Sequence, residues 1–511
     1  MSNWLFDALK AASPSSVFLE TAAGEVWTYG ELFDRSARLA RTLTGLGVLP
    51  GDRVAVRIEK SPEALALYLA CVRTGAVYLP LNTAYTPAEI DYFVGDAEPK
   101  LLVIDPSVEG DLAPVAAARG ARVETLGADG RGSLTDLARR AGDGPFEDVE
   151  RAPSDLAAIL YTSGTTGRSK GAMLTHDNLL SNARALKDIW GFTPDDRLIH
   201  ALPIFHTHGL FTATNTILAA GASMIFLPRF DAEQVIAALP RATTMMGVPT
   251  FYVRLTQRAE MTREACAHMR LFISGSAPLL AETHRAFEGR TGHRILERYG
   301  MTETGMITSN PYEGERIPGA VGFPLPGVDV RVVEPETGAP VADGGVGMIE
   351  VRGPNVCAGY WRMPEKTRAE FRDDGFFITG DLGRIDDRGY VWIVGRGKDL
   401  VISGGFNVYP KEIEAELDQL PEVAESAVIG VPHPDFGEAV TAIVVAASDA
   451  APDEGAMLAA IAGRLAKYKH PKRIVVVGEL PRNAMGKVQK NVLRDRFGSL
   501  YDAQNARAVA K

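Results

Sequence analysis

Residues 160–174 read LYTSGTTGRSKGAML. Hydroxyls at Thr162, Ser163, Thr165 and Thr166 are packed together with Gly164 and Gly167 and with the cations Arg168 and Lys170. Glycine lets backbone N–H groups come close to an anion, successive N–H groups form concave anion sites, and a lysine adds charge. That chemistry suits polyphosphate. The strict P-loop pattern is not met: Ser169 stands where its second glycine belongs, and Gly171 follows Lys170 in place of Ser or Thr. The run leaves the apolar stretch LAAILY directly, as a site loop does and a Ser/Gly linker seldom does.

Polar groups stand at the ends of several other apolar runs. ALPIFHTHGLF carries His206 and His208 beside aromatics, ISGSAPL and ERYGMTET end in turns, and FITGDLG places Asp381 after a strand. VGRGKDLVISGG carries Arg396 and Lys398, and LPRNAMGKVQK carries Lys487. No His or Cys spacing suits a zinc site.

Groups so far apart in sequence need a scaffold that brings strand ends together. RVAVRI, AVYLPL and KLLVID alternate with the helical SPEALALYLACVRTG and PAEIDYFVGDAEP. The rhythm returns from LAAILY to the helix of AETHRAFEGRTG, which predicts two α/β layers with parallel sheets in a large N-terminal region up to about residue 317. From about 318 to 395 short strands and frequent glycines predict a small β module, so that residues 1–397 form one N-terminal domain. After it, a helix opened by Pro410 with Ile413, Leu417 and Leu420 on one face, two strands, a helix with Leu458, Ile461 and Leu465, and KRIVVV predict a mobile α+β C-terminal domain over 398–511. Glycines flanking Lys398 mark the hinge.

With 511 residues the chain has room for about three or four domain-sized units. Its net charge of −10 argues against nucleic acid or an anionic membrane as the main partner. Cys71, Cys266 and Cys357 are too scattered for a disulfide framework or a metal cluster and suit a reducing compartment. The N-terminus resembles neither a secretory signal nor a transit peptide, and no apolar run is long enough to span a bilayer. A cytoplasmic location is expected.

YTSGTTGRSKG, YGMTE, TGD and the C-terminal GK, in this order, resemble the adenylate-forming superfamily of acyl-CoA synthetases, luciferases and peptide-synthetase adenylation domains, over essentially the whole chain. LPLNTAYTPAEIDYF, ALPIFHTHGLF, MRLFISGSAPLLAETHRAF and GFNVYPKEIE are most similar to malonyl-CoA synthetases. Gly305 and Ile307 depart from the more polar run expected after YGMTET.

The resemblance implies ATP-dependent ligation of malonate, with methylmalonate as a second substrate, to coenzyme A through an acyl-adenylate. It assigns ATP to Thr162, Ser163, Gly164, Thr165, Thr166, Gly167 and Lys170. Gly275, Ser276, Ala277, Pro278, Glu297, Arg298, Tyr299 and Gly300 would frame the nucleotide, and Asp381 and Arg396 would meet the ribose. Mg2+ would be held through Glu303 and Thr165. Lys487, Glu303, Thr302 and His206 would be catalytic. Ser403, Gly404 and Gly405 would reach the coenzyme A thiol once the C-terminal domain rotates about Lys398. A lysine acetyltransferase acting on Lys487 would silence adenylation.

Malonate carries a second carboxylate, and an unpaired buried charge is costly, so its pocket needs a cation. Arg285 is the candidate, with His206, Ser274 and Met301 lining the acyl pocket. Glu282 and Glu288 lie three residues either side of Arg285, so an exposed helical ion pair is the alternative. The rival activities are ligation of another small or medium-chain acid and loading of a separate carrier protein.

Overall fold

The computed structural model describes residues 3–162, 169–403, 406–448, 452–462, 464–465, 467–483 and 486–501. Within them the alternating pattern folds as expected. Arg53–Arg57, Val77–Pro80 and Leu101–Ile104 lie parallel in a six-stranded sheet, extended by Arg122–Thr125 at one edge and by Leu156–Thr162 and Lys170–Thr175 at the other. The helix Pro62–Thr74 shows why. Ser61 accepts from the Ala64 N–H, Pro62 presets the first turn, and Gly75 ends the helix at φ 70°. Its sequence is apolar nearly all round, so it is buried, sharing a core cluster with Leu198 and Leu202 of the second sheet.

That second sheet has 13 strands. Arg197–His200, Thr244–Gly247, Leu271–Ser274 and Leu296–Met301 run parallel, so His200, Gly247, Ser274 and Met301 finish at one carboxyl edge. In open α/β sheets that edge is where ligands bind. The opposite edge is tied by Asp196: the Arg270 guanidinium reaches its carboxylate through Nε at 2.7 Å and Nη2 at 2.9 Å, and Thr243 donates to it at 2.7 Å. Asp196, Thr243 and Arg270 each precede one of three of those strands, so one buried carboxylate fixes their relative stagger.

Four features were not legible from patterning. Val17–Thr21 pairs in parallel with Ser223–Phe226, far away in sequence. The glycine-rich strands of the β module continue the second sheet, because Ala320–Pro324 pairs with both Gly305–Ser309 and Val391–Arg396. KGAML, read with the phosphate loop, returns as a strand that sets Lys170 opposite Thr162. The helix Pro410–Leu417 stops short of Leu420, and Glu454–Ala462 stops short of Leu465, yet both leucines still pack into the core of a third, five-stranded sheet formed by the C-terminal region. The three cysteines are free and buried. Among the described residues no helix is long and apolar enough to cross a membrane.

Removing the carboxylate of Asp196 strands a half-buried guanidinium and a hydroxyl. Asp196→Ala is expected to lower unfolding free energy by about 3 kcal/mol, read by urea denaturation, while the KM for nucleotide changes by less than about twofold because the tie lies at the far end of the strands.

Candidate active site

Three groups of polar side chains meet at the carboxyl edges, and the segment Leu296–Glu303 contributes to each. The first surrounds Glu303, which is buried in the turn between Leu296–Met301 and Gly305–Ser309. Its Oε1 accepts from Thr162 Oγ1 at 3.1 Å and from the Tyr360 hydroxyl at 3.2 Å. Burial raises its pKa; the hydroxyl donors and the nearby Lys170 charge work against that rise. Lys170 is buried too, with Nζ 2.8 Å from Glu370 Oε1 and 4.4 Å from the centre of the Tyr360 ring. Thr302 is half-buried at the start of the same turn. Ser163, Gly164, Thr165, Thr166 and Gly167 lie outside the described residues.

The second group lies under the loop after Leu271–Ser274. Ser276 sits at φ 71°, a strained backbone for a residue with a side chain. The His208 Nδ1 holds it, 3.1 Å from Ser276 Oγ. A Cβ on Gly275 would fall 2.3 Å from Cζ of Arg298, so only glycine lets that guanidinium lie against the loop. Arg298 is 4% exposed, and its Nε and Nη2 have no hydrogen-bond partner. Ser274 Oγ, Thr207 Oγ1, His206 Nε2 and His208 Nε2 are likewise buried without partners. Buried polar atoms are rarely left unsatisfied, and a cluster of them marks a place for a ligand. Burial lowers Arg298 to about 9 and His206 to about 4, so His206 is neutral near pH 7. Glu297 belongs to the supporting structure: it accepts from the Gly319 N–H at 2.9 Å and faces His284 at 3.6 Å. Ala277 is half-buried and Pro278 exposed; Gly300 and Met301 are half-buried at the strand end.

The third group centres on Asp381, buried on Phe377–Ile385. Tyr299 donates its hydroxyl to Asp381 Oδ2 at 2.6 Å, and Arg396 Nε lies 3.2 Å from Oδ1. Two lysines from beyond the second sheet share this field. Lys398 is lowered by burial and by the charge of Arg396. Lys487 is lowered to about 8, first by burial, then by the Arg396 charge, with Asp381 opposing. A lysine and an aspartate 106 positions apart are thus brought together in space by the packing of the C-terminal region on the second sheet. Ser403 is buried, while Gly404 and Gly405 lie outside the described residues.

Arg285 does not join any of these groups. It lies on the exposed face of Ala281–Thr291, whose His284 and Phe287 point inward. The helical ion pair is not formed with Glu288, which Arg294 holds at 2.7 Å. Tyr360 and Glu370 were not anticipated, because only the packing of a later segment carries them to Glu303 and Lys170. The charge of Arg298 beside the apolar run of a strand was the available signal for its special position.

Residues 6–361 match the AMP-binding enzyme family and residues 412–487 match the AMP-binding enzyme C-terminal domain. The chain belongs to this family. Members similar to it include a malonate–CoA ligase of Arabidopsis thaliana, 36% identical over 93% of this chain and 85% of the relative. A feruloyl-CoA synthase of Amycolatopsis sp is 38% identical over 93% of this chain and 95% of its own. Crystal structures of MatB from Rhodopseudomonas palustris are 62% identical and cover 98% of this chain and 100% of theirs. The ATP-bound form superposes with a TM-score of 0.96, the apo form with 0.85.

For an AMP-binding enzyme, the hydroxyl of Tyr299 is the group that fixes the Asp381 carboxylate beside Arg396. Tyr299→Phe is expected to weaken ATP binding about tenfold, the worth of one charge-assisted hydrogen bond. Calorimetric titration with ATP reads the loss, and an unchanged affinity would remove Tyr299 from the nucleotide site.

Proposed function

We propose that this protein ligates malonate to coenzyme A at the expense of ATP, through malonyl-adenylate, and that methylmalonate is a second substrate. The observation that carries the reading is Arg298, a buried guanidinium with unpartnered donors under a loop at the carboxyl edge. A buried cation calls for an anion. Ferulate, like any monocarboxylic acid, spends its single carboxylate on the reaction, whereas malonate brings a second one. An arginine can hold that carboxylate by two parallel N–H donors. Ser274, Ser276, His206 and His208 supply the remaining donors around it. Arg285 lies exposed on the following helix.

The chemistry follows from the charges. A carboxylate oxygen attacks the α-phosphorus, the bond to pyrophosphate breaks, and pyrophosphate leaves. The sulfur of coenzyme A then attacks the acyl carbon, its proton is lost, and AMP departs with the carboxylate oxygen. The first step brings anions together, so donors must be in place before it. Lys170 and the loop from Thr162 serve the β- and γ-phosphates, Asp381 and Arg396 the ribose, and Lys487 the developing charge between carboxylate and α-phosphate. Glu303, a buried carboxylate already bonded by two hydroxyls, would hold a Mg2+ ion together with Thr165, which lies outside the described residues. Such an ion would offset phosphate charge.

The closer match to the ATP-bound MatB supports an orientation in which Lys487 serves adenylation. For the thiol step the C-terminal region turns about Lys398, withdrawing Lys487 and presenting Ser403 and the glycines after it.

Two outcomes are expected. Arg298→Gln lowers kcat/KM for malonate on the order of 100-fold, because the second carboxylate is left unpaired, and barely alters use of propionate. Pyrophosphate release with both acids measures this, and equal losses for the two would overturn the assignment. The adenylation rate falls as pH rises through about 8, where Lys487 loses its proton. In Lys487→Arg, whose guanidinium keeps its charge, that limb disappears from a stopped-flow pH profile.

A further inference from the structure

One lysine reaches from the six-stranded sheet to the second sheet near their carboxyl edges. Lys60 follows the strand Arg53–Arg57 of the six-stranded sheet. Its side-chain nitrogen donates to the carbonyl of His200 at 2.8 Å and lies 2.9 Å from His200 Nδ1, at the end of Arg197–His200 in the second sheet. It also stands 4.3 Å from the centre of the Phe226 ring. The Gly209 carbonyl, 2.9 Å from His200 Nε2, can only accept, so the ring proton sits on Nε2 and Nδ1 is left to accept from Lys60. Burial keeps the imidazole neutral and also pushes the Lys60 amine well below its usual range.

Gly209 is the second residue of a π-helix, His208–Thr214. Such helices are rare and frequently found at functional sites. This one is held closely at its start. A Cβ on Gly209 would fall 2.1 Å from the Pro203 carbonyl oxygen, and Thr214 Oγ1 donates to the Gly209 carbonyl at 3.0 Å. The residue just before Gly209 is His208, which bonds Ser276 in its strained conformation beside Arg298. His206 lies two residues further back.

We propose that Lys60 is a positioning residue for the carboxylic acid pocket: by fixing the tautomer and orientation of His200 it anchors the Gly209 carbonyl, and with it the placement of His206, His208 and the Ser276 loop. Lys60 touches none of these groups and acts only through His200. The proposal rests on the reading of that loop and Arg298 as the acid pocket.

The test uses full-length Lys60→Met, His200→Leu and His200→Gln, with kcat and KM for the acid and for ATP from pyrophosphate release, and thermal midpoints for each. Lys60→Met and His200→Leu are expected to lose about 30-fold in kcat/KM for the acid, with KM for ATP within about twofold of wild type, since a small displacement of positioning groups costs rate rather than nucleotide affinity. His200→Gln can still accept from the Lys60 nitrogen and donate to the Gly209 carbonyl, so it recovers most of the loss. Unchanged acid kinetics in Lys60→Met and His200→Leu would overturn the proposal. So would a matched loss for acid and ATP with a lowered melting midpoint and no recovery in His200→Gln, the signature of a purely structural contact. Wild-type preference for a monocarboxylic acid over malonate would instead overturn the malonate reading, and the same variant series with the preferred acid then decides the role of Lys60.

Discussion

A protein with ten excess negative charges can bring a nucleotide triphosphate and a carboxylate together only by local concentration of cations. The fold meets this constraint with few charges, carried on strands and on the segments between elements. Lys170, Arg298, Arg396, Lys398 and Lys487 come from segments spread over more than three hundred residues. Carboxylates within the site do the opposite work of holding these groups. Glu370 takes Lys170, and Asp381 is shared between Tyr299 and Arg396.

The strand Leu296–Met301 and the turn after it link these groups. Arg298, Tyr299 and Glu303 each enter a different neighbourhood, and the alternation of side chains along a strand separates the first two. The parallel arrangement on one side of this strand and the antiparallel hairpin on the other explain how one segment reaches both the loop after Ser274 and Asp381. The β module therefore continues the catalytic sheet, and Asp381 is placed by the same ladder that ends in Arg396.

Much of the layered fold was legible because it depends on short-range signals: apolar runs of strand length, helices capped by Ser61 or Thr86, and glycines at helix ends. Long-range pairing has no such signal. The N-terminal strand Val17–Thr21 joins Ser223–Phe226 across about two hundred residues of sequence. For the same reason the sequence pointed to Arg285, on the helix after SGSAPL, and the structure leaves it exposed while burying Arg298. The local signal is only the charge of Arg298 beside an apolar strand run, which does not by itself say that it is buried. Gly275 decides between the two arginines, since its missing side chain leaves the space that the guanidinium occupies.

The sequence by itself determined the family, the alternating α/β layers and the presence of the YTSGTTGRSKG, TGD and C-terminal lysine motifs, because those are properties of contiguous residues. Tertiary structure alone decided which cation is buried, which hydroxyls and carboxylates hold Glu303 and Lys170, and how Lys60 couples two sheets through one imidazole. Those outcomes depend on burial and on hydrogen-bond geometry between residues far apart in the chain, and both exist only once the sheets have packed.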